Sequence, residues 1–121
     1  MKDNLTPSQC FILYDKGTEP PFTSPLLEEK RVGTYVTSDT GLPVFRSEAK
    51  FESGSGWPSF FQPITENIHL QEDSSHGMKR IEVLSNDTNV HLGHVFDDGP
   101  PPTGKRFCIN GAALKFIPDN K

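Results

Sequence analysis

The sequence predicts a mainly β domain: an antiparallel β unit with an N-terminal helix packed onto it. Three observations carry this. After residue 33 come six short runs rich in β-branched and aromatic residues, separated by turn signals. Eleven prolines and ten glycines break up 121 residues too often for a helical bundle. Only 33% of the residues are hydrophobic, but nine are phenylalanines, and each buried ring covers a large area of a small core.

The elements follow in order. Residues 6 to 16 read as a short helix, with Thr6 as N-cap, Pro7 at the first helical position and Gln9 completing a capping box. Cys10, Leu13 and Tyr14 then share one face, and Gly17 is the stop. The prolines of GTEPPFTSPLLEEKRVG mark an irregular connection, with a second helical turn from Ser24-Pro25 toward Lys30. The β runs are TYVT, PVFRS, RIEVL, VHLGHVF, RFCI and ALKFI. Turns fall at Asp39-Thr40-Gly41, Gly54-Ser55-Gly56, Asn86-Asp87 and Asp98-Gly99-Pro100-Pro101-Pro102.

This length suits one domain over residues 1–121. A net charge of −4 and the lack of a basic cluster argue against nucleic acid or an anionic membrane as partner. The start, MKDNLTPSQ, lacks the apolar run of a signal peptide, and no segment is apolar enough for a membrane span. The expectation is a cytoplasmic enzyme or binding domain. Two cysteines allow one bridge, structural or transient, and a reducing compartment favours a transient one.

Four segments carry candidate chemistry. In RFCIN, alternation places Arg106, Cys108 and Asn110 on one face. Cys108 is either a small buried residue or a nucleophile whose thiolate the guanidinium stabilises. In HLGH, His91 and His94 fit acid–base work, core hydrogen bonds or metal ligation, though no third ligand is evident. Strict alternation puts them on opposite faces, so they converge only if the strand bends or bulges at Gly93. SGSGWPSF is either a loop that lets backbone approach a ligand beside Trp57, or a turn whose tryptophan anchors the core. Asp97 and Asp98 are turn formers, or Asp98 supplies a proton or orients a histidine.

Together the segments are more specific than any one. GTEPPF at 17–22, GSGWPSF at 54–60, HLGHVFDDGPPPTG at 91–104 and RFCINGAALKFIP at 106–118 occur in this order. The chain resembles the B-type methionine sulfoxide reductases, which reduce the R epimer of methionine sulfoxide, over a core from about residue 5 to 118. The resemblance implies two antiparallel sheets with short N-terminal helices packed on them. It implies Cys108 as nucleophile, with Arg106 and Asn110 beside it. It implies His91, His94 and Asp98 around the sulfoxide oxygen, and Trp57 and Phe96 against the substrate. Cys108 would pass through a sulfenic acid to a disulfide that a thioredoxin-type dithiol reduces. The substrate would be methionine-R-sulfoxide in proteins, peptides or free, and the enzyme a monomer.

Two departures from the family pattern matter. Many members bind a structural zinc through two C-x-x-C pairs, and the matching positions here are Thr37, Thr40, Ser85 and Thr88. Hydroxyls are poor zinc ligands, so neither a metal nor a cofactor is expected. Ser55 stands where many members have a resolving cysteine. Either Cys10 resolves the sulfenic acid, or an external thiol does, or position 55 was altered by engineering. Two other functions stay open: a binding domain for oxidised methionine that cannot recycle, and a histidine-based metal protein.

Overall fold

The computed structural model describes residues 5–74, 77 and 79–119. The chain opens with helix α1 (Pro7–Asp15). Thr6 caps it as the sequence predicts: its Oγ1 accepts from the Gln9 N–H, and Gln9 Oε1 accepts from the Thr6 N–H. Lys16, rather than Gly17, takes the left-handed conformation that ends the helix. The buried residues of α1 are Ile12 and Leu13; Tyr14, expected on the inner face, is exposed, and Cys10 is half-buried. A 3₁₀ turn over Pro25–Glu28 matches the second helical turn.

All six predicted β runs form strands. They are β1 (Gly33–Thr37), β2 (Pro43–Arg46), β6 (Arg80–Ser85), β7 (His91–Phe96), β8 (Arg106–Ile109) and β9 (Leu114–Pro118). Three further strands were not anticipated: β3 (Lys50–Phe51), β4 (Ser59–Phe60) and β5 (Ile68–Asp73). The first two are dipeptides. β5, IHLQED, lies at a sheet edge and leaves its middle residues to solvent, so its apolar signal is weak.

The strands form two antiparallel sheets, β2-β1-β9 and β3-β4-β8-β7-β6-β5. Between them Phe45 stacks on Phe60 at 4.3 Å, and Tyr35 meets Phe60 edge-on at 5.0 Å. Phe107, Ile109, Val83 and Val44 complete this core, and Ile12 and Leu13 bring α1 onto it. Not every phenylalanine contributes: Phe11 and Phe22 are more than half exposed.

The larger sheet positions the site. Cross-strand partners share a face, and one row runs Ser59–Cys108–His94–Glu82–Gln71 across five strands. The neighbouring row, Phe60–Phe107–Val95–Ile81–Glu72, points the other way, with Phe60 and Phe107 in the core. One face of this sheet is therefore apolar, and the opposite face carries Cys108.

Candidate active site

The bulge demanded by HLGH is present. Val83 pairs with Gly93, but the next residue, Leu84, pairs with His91. Leu92 is the extra residue, and it reverses the alternation. His91 and His94 thus fall on one face, their rings 5.3 Å apart between centroids. Gly93 is needed for space: a Cβ there would sit 2.2 Å from the Cys108 carbonyl oxygen. Asn110 secures the bulge, because its backbone N–H and Nδ2 both donate to the Leu92 carbonyl, at 3.0 and 3.2 Å.

Cys108 opens into a cavity of about 240 Å³ lined by Thr18, Ser55, Trp57, Arg80, Gly93, His94, Phe96, Arg106 and Asn110. Trp57 and Phe96 give it apolar walls. The Trp57 Nε1–H donates to the Glu19 carbonyl at 2.9 Å, which fixes the indole. Arg106 lies over the Phe96 ring, 4.7 Å from its centroid, and bonds Asp98 through Nε and Nη2 at 2.9 and 3.2 Å. That contact holds the Asp98 carboxyl below its usual range.

The thiol itself departs from expectation. Burial pushes the Cys108 thiol up. The Ser55 hydroxyl, 3.8 Å from Sγ, and the Arg106 guanidinium pull it down without reversing the direction. The sequence reading had the guanidinium lower it outright. Arg106 falls short because much of its charge is answered by Asp98.

The predicted residues divide into two groups. Cys108, His94, Arg106, Asn110, Trp57 and Phe96 line one cavity. His91, Asp98 and Cys10 do not. His91 lies behind His94 with 1% exposure, and its Nδ1 is 2.8 Å from Glu82 Oε2. Asp98 is exposed and turned to Arg106. Cys10 is on α1, which packs against β7 and the turn at 111–113.

Three acidic residues central to the arrangement were missed. Glu19, in GTEPPF, is buried; its carboxylate accepts from the Gly111 and Ala112 N–H groups at 2.6 and 3.0 Å. The Glu19 N–H donates to Asn110 Oδ1 at 3.0 Å. Glu82 has no exposed side chain and takes an ion pair from Lys16 Nζ at 3.2 Å. Asp73 Oδ2 lies 2.8 Å from His94 Nε2. The available signal was in RIEVL, where a glutamate interrupts an apolar run.

The four positions matching zinc ligands elsewhere do come together. Thr37 and Thr40 are 3.2 Å apart, and Ser85 and Thr88 are 3.3 Å apart, between hydroxyl oxygens. Thr40 donates to Asp87 at 2.5 Å, and Thr88 donates to Asp39 at 2.7 Å, so the two turns are stapled reciprocally. Neutral hydroxyls already bonded in this way do not fit zinc, which prefers thiolate and imidazole. Among the described residues, no three His, Cys, Asp or Glu side chains gather in a metal-holding cluster. No helix among them is long and apolar enough to cross a membrane.

Comparison with known proteins shows the family. The SelR domain family profile matches residues 5–118. The peptide methionine sulfoxide reductase MsrB of Leptospira interrogans (serovar Lai) is 54% identical over 116 residues, covering 95% of this chain and 88% of the relative. The proteins of the same name from Escherichia coli O139:H28 and K12 (DH10B) are each 49% identical over 117 residues, covering 96% of this chain and 85% of the relative. By profile and by identity, the chain belongs to the SelR domain family, that of the MsrB methionine sulfoxide reductases.

Proposed function

We propose that this chain reduces methionine-R-sulfoxide, in proteins and peptides and as the free amino acid, with Cys108 as the nucleophile. The observation that carries this reading is the composition of one cavity: a single thiol between two aromatic walls and a histidine, two arginines and an asparagine. The aromatic walls suit the S-methyl group, and the polar side suits the S–O bond. A site for binding alone has no need of the thiol.

The chemistry follows from the charges. The Cys108 thiolate supplies an electron pair, and the sulfoxide sulfur is reduced by two electrons. The oxygen takes a proton as the S–O bond breaks, because oxide is a very poor leaving group. Thiolate, sulfoxide and proton become Cys108 sulfenic acid and methionine. His94 is the imidazole that lines the cavity, with His91 behind it. Arg106 balances charge at the thiolate, and Asp98 holds Arg106 in place. Since burial favours the neutral thiol, Cys108 passes its proton to His94 as it attacks.

Cys10 is then the resolving thiol. It attacks the sulfenic sulfur, releases water and leaves a Cys10–Cys108 disulfide, which a thioredoxin-type dithiol reduces. Cys10 does not line the cavity, so α1 must shift for this step. A second reading has an observation in its favour: Ser55 occupies the place beside Sγ, and no second thiol lines the cavity. There an external thiol reduces the sulfenic acid directly. The working unit is a monomeric single domain over residues 1–121, cytoplasmic, without metal or cofactor.

Epimer-resolved turnover tests the activity. With a dithiol present, the R-sulfoxide of a methionine peptide should be consumed and the S epimer left intact. Cys108→Ser should lower the rate on the order of 10³-fold or more. Equal consumption of both epimers, or turnover that survives this substitution, would overturn the reading.

A further inference from the structure

The two histidines are each held by a different carboxylate, and through different ring nitrogens. His94 meets Asp73 through Nε2 at 2.8 Å, and His91 meets Glu82 through Nδ1 at 2.8 Å. An ionised carboxylate only accepts hydrogen bonds. Whichever nitrogen faces it therefore carries the hydrogen. We propose that Asp73 and Glu82 are positioning residues that hold the neutral rings in opposite tautomers, His94 protonated on Nε2 and His91 on Nδ1. The proposal rests on the reductase reading of the Cys108 cavity and specifies which nitrogen serves it.

Strand geometry produces the pairing. Glu82 is the direct cross-strand neighbour of His94, yet it bonds His91, which the Leu92 bulge brings onto the same face. His94 instead takes its partner from β5, two strands away, where Asp73 is the cross-strand neighbour of Arg80. The Arg80 guanidinium stands 3.9 Å from Asp73 on that face. Lys16 reaches Glu82 from the end of α1. Among the described residues, each carboxylate thus faces one imidazole and one cation within a largely buried group.

The consequences differ for the two rings. On His94 the free nitrogen is Nδ1, on a side chain that lines the cavity. Nδ1 first takes up a proton, the one the Cys108 thiol gives up on becoming thiolate, and then passes it to the sulfoxide oxygen, while the Nε2–H stays on Asp73. On His91 the free nitrogen is Nε2, which is buried without a hydrogen-bond partner among the described residues. Burial pushes the His91 imidazole down, so it stays neutral at pH 7 and offers a lone pair rather than a charge. It can take a hydrogen bond from a water or a protonated neighbour at no cost in charge separation. One ring is set to deliver a proton, the other to accept a hydrogen bond.

The arrangement also ties the N-terminal helix to the site. Moving α1, as resolution by Cys10 requires, withdraws Lys16 from a carboxylate that has no exposed surface. Glu82 then keeps, among the described residues, only His91 as a partner in a buried position, a configuration that costs far more than the paired one. Lys16–Glu82 therefore opposes premature movement of the helix.

The test is read first without substrate. ¹⁵N ring shifts of the reduced protein, assigned with single His91→Gln and His94→Gln variants, should show His94 as the Nε2–H tautomer and His91 as the Nδ1–H tautomer. Asp73→Asn should then lower kcat by about 10- to 100-fold, the usual scale for a group that orients a functional histidine. KM should stay within about twofold, and Asp73→Glu should recover part of the loss. If His91 carries its hydrogen on Nε2, or His94 on Nδ1, the proposal is wrong. It is also wrong if the tautomers are as stated but Asp73→Asn turns over like the parent. Should Asp73→Asn fail to fold, Glu82→Gln and the parent spectrum decide alone. If the tautomers hold and the parent chain reduces no sulfoxide, it is the reductase reading that fails.

Discussion

Two regions of this molecule carry hydroxyls where relatives of its type commonly carry cysteines, and the exchange means something different in each. In the turns after β1 and β6, Thr37, Thr40, Ser85 and Thr88 form a staple with Asp39 and Asp87. Hydrogen bonds there can do what a bound metal does: they hold two turns together. In the cavity, Ser55 sits 3.8 Å from the Cys108 sulfur. It can hydrogen-bond to a thiol, but it cannot be oxidised to a disulfide. A structural link can be replaced by a different interaction, whereas a redox step needs sulfur.

Restoring sulfur at position 55 should have the largest effect. In a Cys10→Ser background, Ser55→Cys should raise thioredoxin-supported turnover at least about 10-fold, since an intramolecular thiol acts at roughly millimolar effective concentration or above. Peptide mapping should find the bridge between positions 55 and 108. No gain would mean that the two side chains cannot approach to bonding distance.

Glu19→Ala tests whether the cavity has its own staple. Two backbone N–H groups would lose a charged acceptor, and stability should fall by about 2–3 kcal/mol, measured by urea unfolding. The carboxylate anchors the segment whose backbone holds Trp57 and Asn110, so its loss should let that segment shift and raise KM for the sulfoxide. A loss below about 0.5 kcal/mol would mean that water replaces the carboxylate without strain.

The thiol's own titration gives a smaller, graded effect. With its pKa raised by burial, Cys108 is mostly protonated at pH 7 and becomes thiolate only above the ordinary thiol range. Alkylation of a Cys10→Ser protein by iodoacetamide should therefore be slow at pH 7 and climb at alkaline pH. Ser55→Ala removes a group that favours the thiolate, so its profile should move further alkaline. A profile centred below that of a free cysteine would contradict the assignment. The smallest effect belongs to the remote staple. Thr88→Val deletes the bond to Asp39 and should cost about 1 kcal/mol, with turnover unchanged.

Much of this was legible in the chain. The helix cap, the six strands and the shared face of Arg106 and Cys108 follow from local patterns. So does the need for an irregularity in HLGH, although the extra residue proves to be Leu92, with Gly93 supplying the close approach to β8. The rest depended on distance along the chain or on burial. Glu19 grips Gly111 across 92 positions, and Asp73 meets His94 across 21. Neither contact leaves a local trace. β5 was illegible because an exposed edge strand has little apolar alternation. The direction of the Cys108 shift was misread because burial, its main cause, is a property of the folded sheet. Asn110 was grouped correctly with Cys108, but its amide is committed to Glu19 and the bulge, which no pattern within RFCIN reveals.

The central claim is that oxygen passes from the sulfoxide to Cys108. The most direct measurement mixes reduced Cys10→Ser protein with one equivalent of a methionine-R-sulfoxide peptide and no reductant, then maps the cysteine by mass spectrometry. The account predicts one methionine released per chain and one oxygen on Cys108, trapped as a sulfenic acid adduct. Bound peptide with its sulfoxide intact and Cys108 unmodified would contradict it, and would leave a domain that recognises oxidised methionine without reducing it.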